Sequence, residues 1–260
     1  MSGSARDDSA GSGTVSRALH LLRVLAEEGG TLSVKQVSHR LGLPPSTSHR
    51  LLHLLRQDGF VESPQAGQYV VGPQFLRVAS LVVGNSSLVA RAQEAIQKAA
   101  EAFDEAVVFG LYLPTEGALS FECRADGQQR LTYQIDLHQP TSLVWGASGK
   151  AVLAFIDPAL VPEILDVETV SPASGVLKPT LDALHEELEH IRQKGWATSR
   201  SEKLPDARGI AAPVFGPHGV VGSVCLTIPE SRIDMARLDE YGTTMTEHAR
   251  KLSYALGGRS

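Results

Sequence analysis

The chain has 260 residues, 42% hydrophobic and 20% charged, with a net charge of −5. That is enough apolar material for one or two globular domains, and no run approaches the ~18–20 apolar residues that cross a bilayer, so no membrane partner is expected. The opening stretch, Met1 to Gly13, has neither the basic start nor the apolar run of a secretory signal, so residues 1–14 read as a solvated, disordered tail and the protein as cytoplasmic.

The two cysteines, Cys123 and Cys225, are far apart and lack histidines at ligand spacing, so reduced thiols and no metal or other cofactor are expected. Charge is unevenly spread. Residues 15–73 hold six Lys/Arg, four Asp/Glu and four of the histidines, whereas the chain beyond them holds 17 basic and 23 acidic residues. A mildly basic module on an acidic body suggests where an anionic polymer docks.

Ala18, Leu21, Leu22 and Leu25 fall on one face of a helix over Ser16–Glu28, which Gly29-Gly30 ends. Ser33 and Gln36 have the spacing of a capping box for a second helix, with Val34, Val37 and Leu41 inward. Gly42 suits a left-handed turn, and Pro44-Pro45 opens a third helix. That helix carries a core stripe of Ser48, Leu51, Leu52 and Leu55, and an opposed polar stripe of Ser46, His49, Arg50 and His53. Two helices across a glycine turn make a helix-turn-helix, whose second helix enters the major groove. Ser46 and Thr47 suit phosphates or base edges, and Arg50 suits guanine or a phosphate. After Gly59 the period becomes alternating. Phe60–Ser63 and Gln68–Val71 flank a turn at Pro64–Gly67, which completes a winged helix over residues 15–73, with Gln65 and Gln68 at the tip. One winged helix reads one half-site, so a homodimer on a roughly palindromic double-stranded operator is expected. The competing reading is a winged helix that binds protein.

Phe75, Val78, Ala79 and Val82 suit a linker helix over 74–91, and Ala92, Ala95, Ile96 and Ala99 begin the next domain, 92–260. There, Ala106–Leu113, Ala118–Ala125 and Arg130–Leu137 read as strands. Helices follow at Gly149–Phe155, near Glu163 and at Leu181–Lys194; then come a hairpin around Gly216–Gly219 and a last helix from about Ile233 to Leu256. This order predicts an α+β domain with a largely antiparallel sheet. On the last strand, Gly222, Val224, Leu226 and Ile228 face one way, and Ser223, Cys225 and Thr227 the other. The second face suits either solvent or a pocket for a small polar ligand.

Two catalytic readings fail. Gly146-Ala147-Ser148-Gly149-Lys150 is not a phosphate-binding loop, because Val144 stands where the first glycine belongs and Ala151 where the metal-binding hydroxyl belongs. Lys150 reads as a surface charge or an ion-pair partner. Cys225 with His218 makes no triad, and nothing cationic in sequence makes Cys225 a thiolate. No catalytic residue and no enzymatic activity are expected.

The stretch from Ser16 to Glu62, with its Arg17-Ala18-Leu19 opening, Leu41-Gly42-Leu43-Pro44 turn, Ser46-Thr47 before the third helix and Gly59-Phe60-Val61 exit, resembles the IclR family of bacterial transcriptional regulators. The likeness continues through Ala147–Ala151 and Gly195–Phe215. It implies a sensory domain akin to GAF and PAS folds, a ligand-sensing repressor or activator, and dimers of dimers. It also implies an effector pocket drawing on Ala147, Ser148, Gly149, Ser199, Cys225 and Thr227, with backbone N–H groups of the Ala147–Ala151 turn offered to a small aliphatic or aromatic organic acid. Trp145 either narrows that pocket, stacks on an aromatic ligand, or belongs to the core. Arg124 and Tyr133 are weaker candidates.

Overall fold

A computed structural model describes residues 13–85, 87–129 and 132–258. The tail expected over 1–14 lies almost wholly outside these residues, and Thr14 is already helical. The chain divides into two compact units at Asn85.

In the first unit, α1 (Thr14–Glu28) buries Leu21, Leu22, Val24 and Leu25 and stops at Gly29, which takes φ +64°. A two-residue strand, β1 (Leu32–Ser33), leads into α2 (Val34–Leu41). Both hydrogen bonds of the capping box between Ser33 and Gln36 are present. Gly42 at φ +62° turns the chain into α3 (Pro45–Gln57). Leu21, Leu25, Leu32, Val37, Leu51, Leu52 and Val61 share one core, each large side chain contributing roughly 1.5–3 kcal/mol by burial. The wing is β2 (Val61–Gln65) and β3 (Gln68–Val71), in a three-stranded sheet of order β1-β3-β2. The sequence pattern misses β1, and it puts Pro64 in the turn. The turn is Ala66-Gly67, and Pro64 lies within β2. An edge strand tolerates a residue without an N–H, and the register shifts between Glu62 and Gln65.

The expected linker, 74–91, falls on two helices, α4 (Pro73–Asn85) and α5 (Ser87–Phe103). Phe75 packs on the first unit's core, while Ala92 and Ile96 are fully buried in the second.

The second unit is an antiparallel sheet of order β6-β5-β4-β9-β8-β7. Its strands are β4 (Ala106–Leu113), β5 (Ala118–Ala125), β6 (Pro140–Ser142), β7 (Ala197–Arg200), β8 (Ala207–Gly216) and β9 (Gly219–Pro229). On one face, Phe109, Val224 and Leu226 pack with α5 and α9 (Leu238–Ala255) through Ile96, Met245 and Leu252. On the other, Val108, Leu119 and Cys225 pack with α6 (Ala147–Leu153), α7 (Val161–Asp166) and α8 (Leu181–Lys194) through Ala151, Val152, Leu165, Leu184 and Leu188. Both sides of β9 are therefore covered. Ser223 and Thr227 are buried, so the solvent reading of that face is set aside.

The strand expected at Arg130–Leu137 is not one. Arg130 and Leu131 lie outside the described residues, and 132–137 form no ladder. The edge place is taken by β6, a segment too short to show an alternating pattern. Ile135 and Leu137 still point at the core, which accounts for the alternation without strand pairing. The last helix begins at Leu238, after a 3-10 turn at Met235–Arg237 that the Asp234 side chain caps.

Candidate functional site

The first unit presents α3 outward. Ser46, His49, Arg50 and His53 are exposed at i, i+3, i+4 and i+7, and Thr47 is half-buried. The opposite side is pinned by Ser48, Leu51 and Leu52, all at most 2% exposed. The Leu43 N–H donates to the Ser38 carbonyl at 3.0 Å, closing the turn that aims α3. Arg40 is held by Glu28 at 2.6 Å. Arg50, by contrast, has no carboxylate within ion-pair distance among the described residues. Gln65 and Gln68 face each other across the wing turn, Gln65 exposed and Gln68 half-buried.

The second unit holds a cavity of about 280 Å³. Its floor is the sheet, and its walls are the start of α6 and the segments 134–141 and 202–204. Strand register explains the floor: Thr227 pairs with Gly209, and Gly209 with Ser199, so the three lie in one row. A Cβ on Gly209 would sit 3.0 Å from Ser199 Oγ and 3.1 Å from the Ala147 Cβ, so glycine lets α6 come down onto this row.

Of the expected pocket residues, Ala147, Ser148, Ser199, Cys225 and Thr227 line the cavity. Two do not. Trp145 is a core residue, 5% exposed, whose Nε1–H donates to Glu168 at 2.8 Å. Gly149 is inside the helix, where a Cβ would come 2.5 Å from the Leu143 carbonyl oxygen, so close packing requires glycine there. Gly146 makes the turn, at φ +84°. Arg124 pairs with Asp126 at 2.6 Å, and Tyr133 lines a different recess beside Asp206 and Glu230.

The backbone donors expected to serve a ligand are partly taken. The Gly146 N–H donates to Glu202 Oε2 at 2.7 Å, and the Ala147 N–H to Ser199 Oγ at 2.9 Å. The protein's own carboxylate occupies the opening of α6. Glu202 also accepts from Lys150 Nζ at 2.8 Å, and Glu187 accepts from the same ammonium at 2.7 Å. Lys150 is thus a buried ion-pair partner, not a surface charge. Burial alone would pull its pKa down, but Glu202 and Glu187 outweigh it and hold it above the usual value. Ser223 Oγ donates to the Ser148 carbonyl at 3.0 Å and ties the second turn residue to β9.

Sequence reasoning missed Lys203. It lines the cavity, and its Nζ donates to the Ser142 carbonyl at 2.9 Å. The residue as a whole is partly exposed, yet desolvation of its ammonium pulls the pKa down to about 8. Cys225, across the cavity, is pushed up by burial, so it stays a neutral thiol. A single cation in a polar segment carries no periodic signal that would have singled it out.

Residues 14–64 match the IclR helix-turn-helix domain, and residues 80–254 match the bacterial transcriptional regulator IclR C-terminal domain. The HTH-type transcriptional regulator BhcR of Paracoccus denitrificans (strain Pd 1222) is 29% identical over 259 residues, covering 99% of this chain and 92% of that protein. The crystal structure of a candidate IclR transcriptional regulator from Silicibacter sp. TM1040 superposes with a TM-score of 0.85 at 24% identity, covering 95% of this chain and 97% of that one. An IclR homolog from Microbacterium hydrocarbonoxydans, crystallised with 4-hydroxybenzoate, has a TM-score of 0.72 at 17% identity, covering 94% of this chain and 100% of that one. No helix among the described residues is long and apolar enough to cross a membrane.

Proposed function

The chain belongs to the IclR family of bacterial transcriptional regulators and carries its helix-turn-helix DNA-binding domain, and on that premise we propose that a small organic acid bound in the sheet-floored cavity controls its grip on a roughly palindromic operator. The observation that carries the DNA half is Arg50 at the centre of an exposed polar face on α3, with no carboxylate among the described residues in ion-pair distance. An arginine with no competing carboxylate is free to fork onto guanine or a phosphate. Ser46, Thr47, His49 and His53 flank it, and Gln65 and Gln68 reach from the wing tip.

Two half-sites call for two copies. Exposed apolar side chains on α1 (Val15, Leu19) and α4 (Leu76, Leu81) suit burial against a second chain, and pairing of the second units then makes a dimer of dimers. In the cavity, hydroxyls, a neutral thiol and one lysine suit a small acid. The 4-hydroxybenzoate held by the Microbacterium homolog supports this class of ligand for the fold. The effector acts only through its differential affinity for two placements of the winged helices, with α4 as the transmitting element. No residue acts as a catalyst.

The test is a footprint on the DNA upstream of the protein's own gene and its neighbours, at two salt concentrations. A protected near-palindrome that weakens with salt is expected, because phosphate contacts release counterions. Absence of protection at both would leave an operator elsewhere or a winged helix that binds protein.

A further inference from the structure

We propose that Lys203 reads the charge of the effector: its ammonium holds the carboxylate of a monoanionic acid and makes the cavity select monocarboxylates over neutral amides and over dicarboxylates. This rests on the cavity being the effector site.

Among the described residues lining the cavity, Lys203 is the one cation. An ammonium has three N–H donors. One goes to the Ser142 carbonyl at 2.9 Å, and the Phe121 ring lies 5.8 Å from Nζ. No carboxylate of the described residues comes within ion-pair distance of it. Lys150 shows the opposite condition, with both Glu187 and Glu202 on its ammonium. Glu202 is hydrogen-bonded to Lys150 and to the Gly146 N–H, so it makes no ion pair with Lys203 and acts on it only from a distance, more weakly than desolvation does. The opening of α6 offers little in its place, since Gly146 and Ala147 already donate to the protein's own oxygens. Attraction for an anion therefore falls to Lys203.

The remaining lining explains the limit to one charge. Ser148, Ser199, Thr227 and the Cys225 thiol are neutral, Val108, Phe121 and Ile135 are apolar, and Asp136 is exposed and acidic. A second carboxylate would lose its hydration without gaining a cation. The volume, about 280 Å³, sits near the low end of the ~300–1,000 Å³ typical of ligand sites and suits a small acid. Desolvation leaves Lys203 charged at neutral pH but close to its titration, so a bound carboxylate restores the compensation that the fold withholds.

The experiment is titration calorimetry on the full chain with benzoate, 4-hydroxybenzoate and propionate, with the amides benzamide and propionamide, and with succinate and terephthalate. Monoacids should bind at least ~10-fold tighter than their amides or the diacids. Lys203→Met should lose that preference, and Lys203→Arg should keep it. The pH profile of the wild type supplies a test that needs no variant. The charged or titratable groups facing Lys203 are Glu202, Glu168 and Cys225, with Asp136 at the cavity wall. With the acids fully ionised, above about pH 6, affinity should hold steady until the Lys203 ammonium begins to titrate near pH 8 and then fall toward the level of the amides, and Lys203→Arg should abolish that fall. Equal binding of acids and amides, a Lys203→Met variant as acid-selective as wild type, a flat pH profile, or no binding of any monoacid would each overturn the proposal. Binding of a neutral ligand that Ser148→Leu abolishes would do so while keeping the cavity as the effector site. Ligand binding untouched by Ser148→Leu would remove the cavity reading itself.

Discussion

Two helices of this protein begin at places where a partner is expected, and they begin in opposite ways. The start of α3 has no side-chain cap and opens to solvent, with Pro45 and Ser46 exposed in its first turn and His49 and Arg50 in the next. The first turn of α6 is wholly buried, and Glu202 and Ser199 take the N–H groups at its opening. An open turn keeps its donors for an outside anion, whereas a closed one has spent them on holding the cavity's shape. On the proposed reading, recognition at α3 belongs to an exposed face, and at α6 it passes to the side chains that ring the closed turn, Lys203 and the hydroxyls of Ser148 and Thr227.

Breaking the closed turn should have the largest effect. Glu202→Ala leaves the Lys150 ammonium buried beside Glu187 alone and frees the Gly146 N–H, and it should cost about 3 kcal/mol of stability, read from urea denaturation of the second unit's tryptophans, Trp145 and Trp196. A loss under about 1 kcal/mol would mean that Glu187 suffices and that the closure is incidental.

Breaking the open face comes next. Arg50→Ala should weaken operator binding by roughly 10–100-fold, the worth of one good bidentate contact, in a gel shift at fixed salt, with the melting temperature unchanged. Unaltered affinity would move the reading surface off α3. In the cavity, Ser148→Leu should abolish the effector's influence on operator binding by filling the space. Thr227→Val should weaken ligand affinity several-fold, on the order of 1 kcal/mol for one hydroxyl. A normal response in both would place the effector elsewhere.

The smallest effect sharpens the comparison from behind α3. The Ser38 and Ser48 hydroxyls are buried without a partner among the described residues. Ser48→Ala should therefore stabilise the first unit by about 1 kcal/mol, measured as a higher urea midpoint, and a destabilised variant would show that the hydroxyl has a partner.

The first unit was largely legible from its residues. Three helices, the capping box of Ser33 and Gln36 and the Gly42 turn all follow from periodicities and caps that operate within one or two turns of chain. The wing's detail was not. A two-residue strand has no period to detect, and Pro64 looks like a turn residue until it is known to lie on a sheet edge. In the second unit, Ala106–Leu113 and Ala118–Ala125 declared themselves by composition, but Thr132–Leu137 alternates without pairing, because an extended segment over a cavity buries every second side chain as a strand does.

By itself, the sequence determined which faces are apolar, where helices start and stop, and that a polar stripe carrying Arg50 lies on α3, because each of these depends on neighbours a few residues away. Only the tertiary structure decided that Trp145 belongs to the core, that Gly149 serves packing, that Glu202 closes the turn before α6, and that Lys203 has no ion-paired carboxylate among the described residues. Those outcomes depend on residues such as Gly146 and Glu202, 56 positions apart, meeting in a low-dielectric interior. There, which carboxylate an ammonium finds is set by the packing of helix on sheet, a relation that no local pattern encodes.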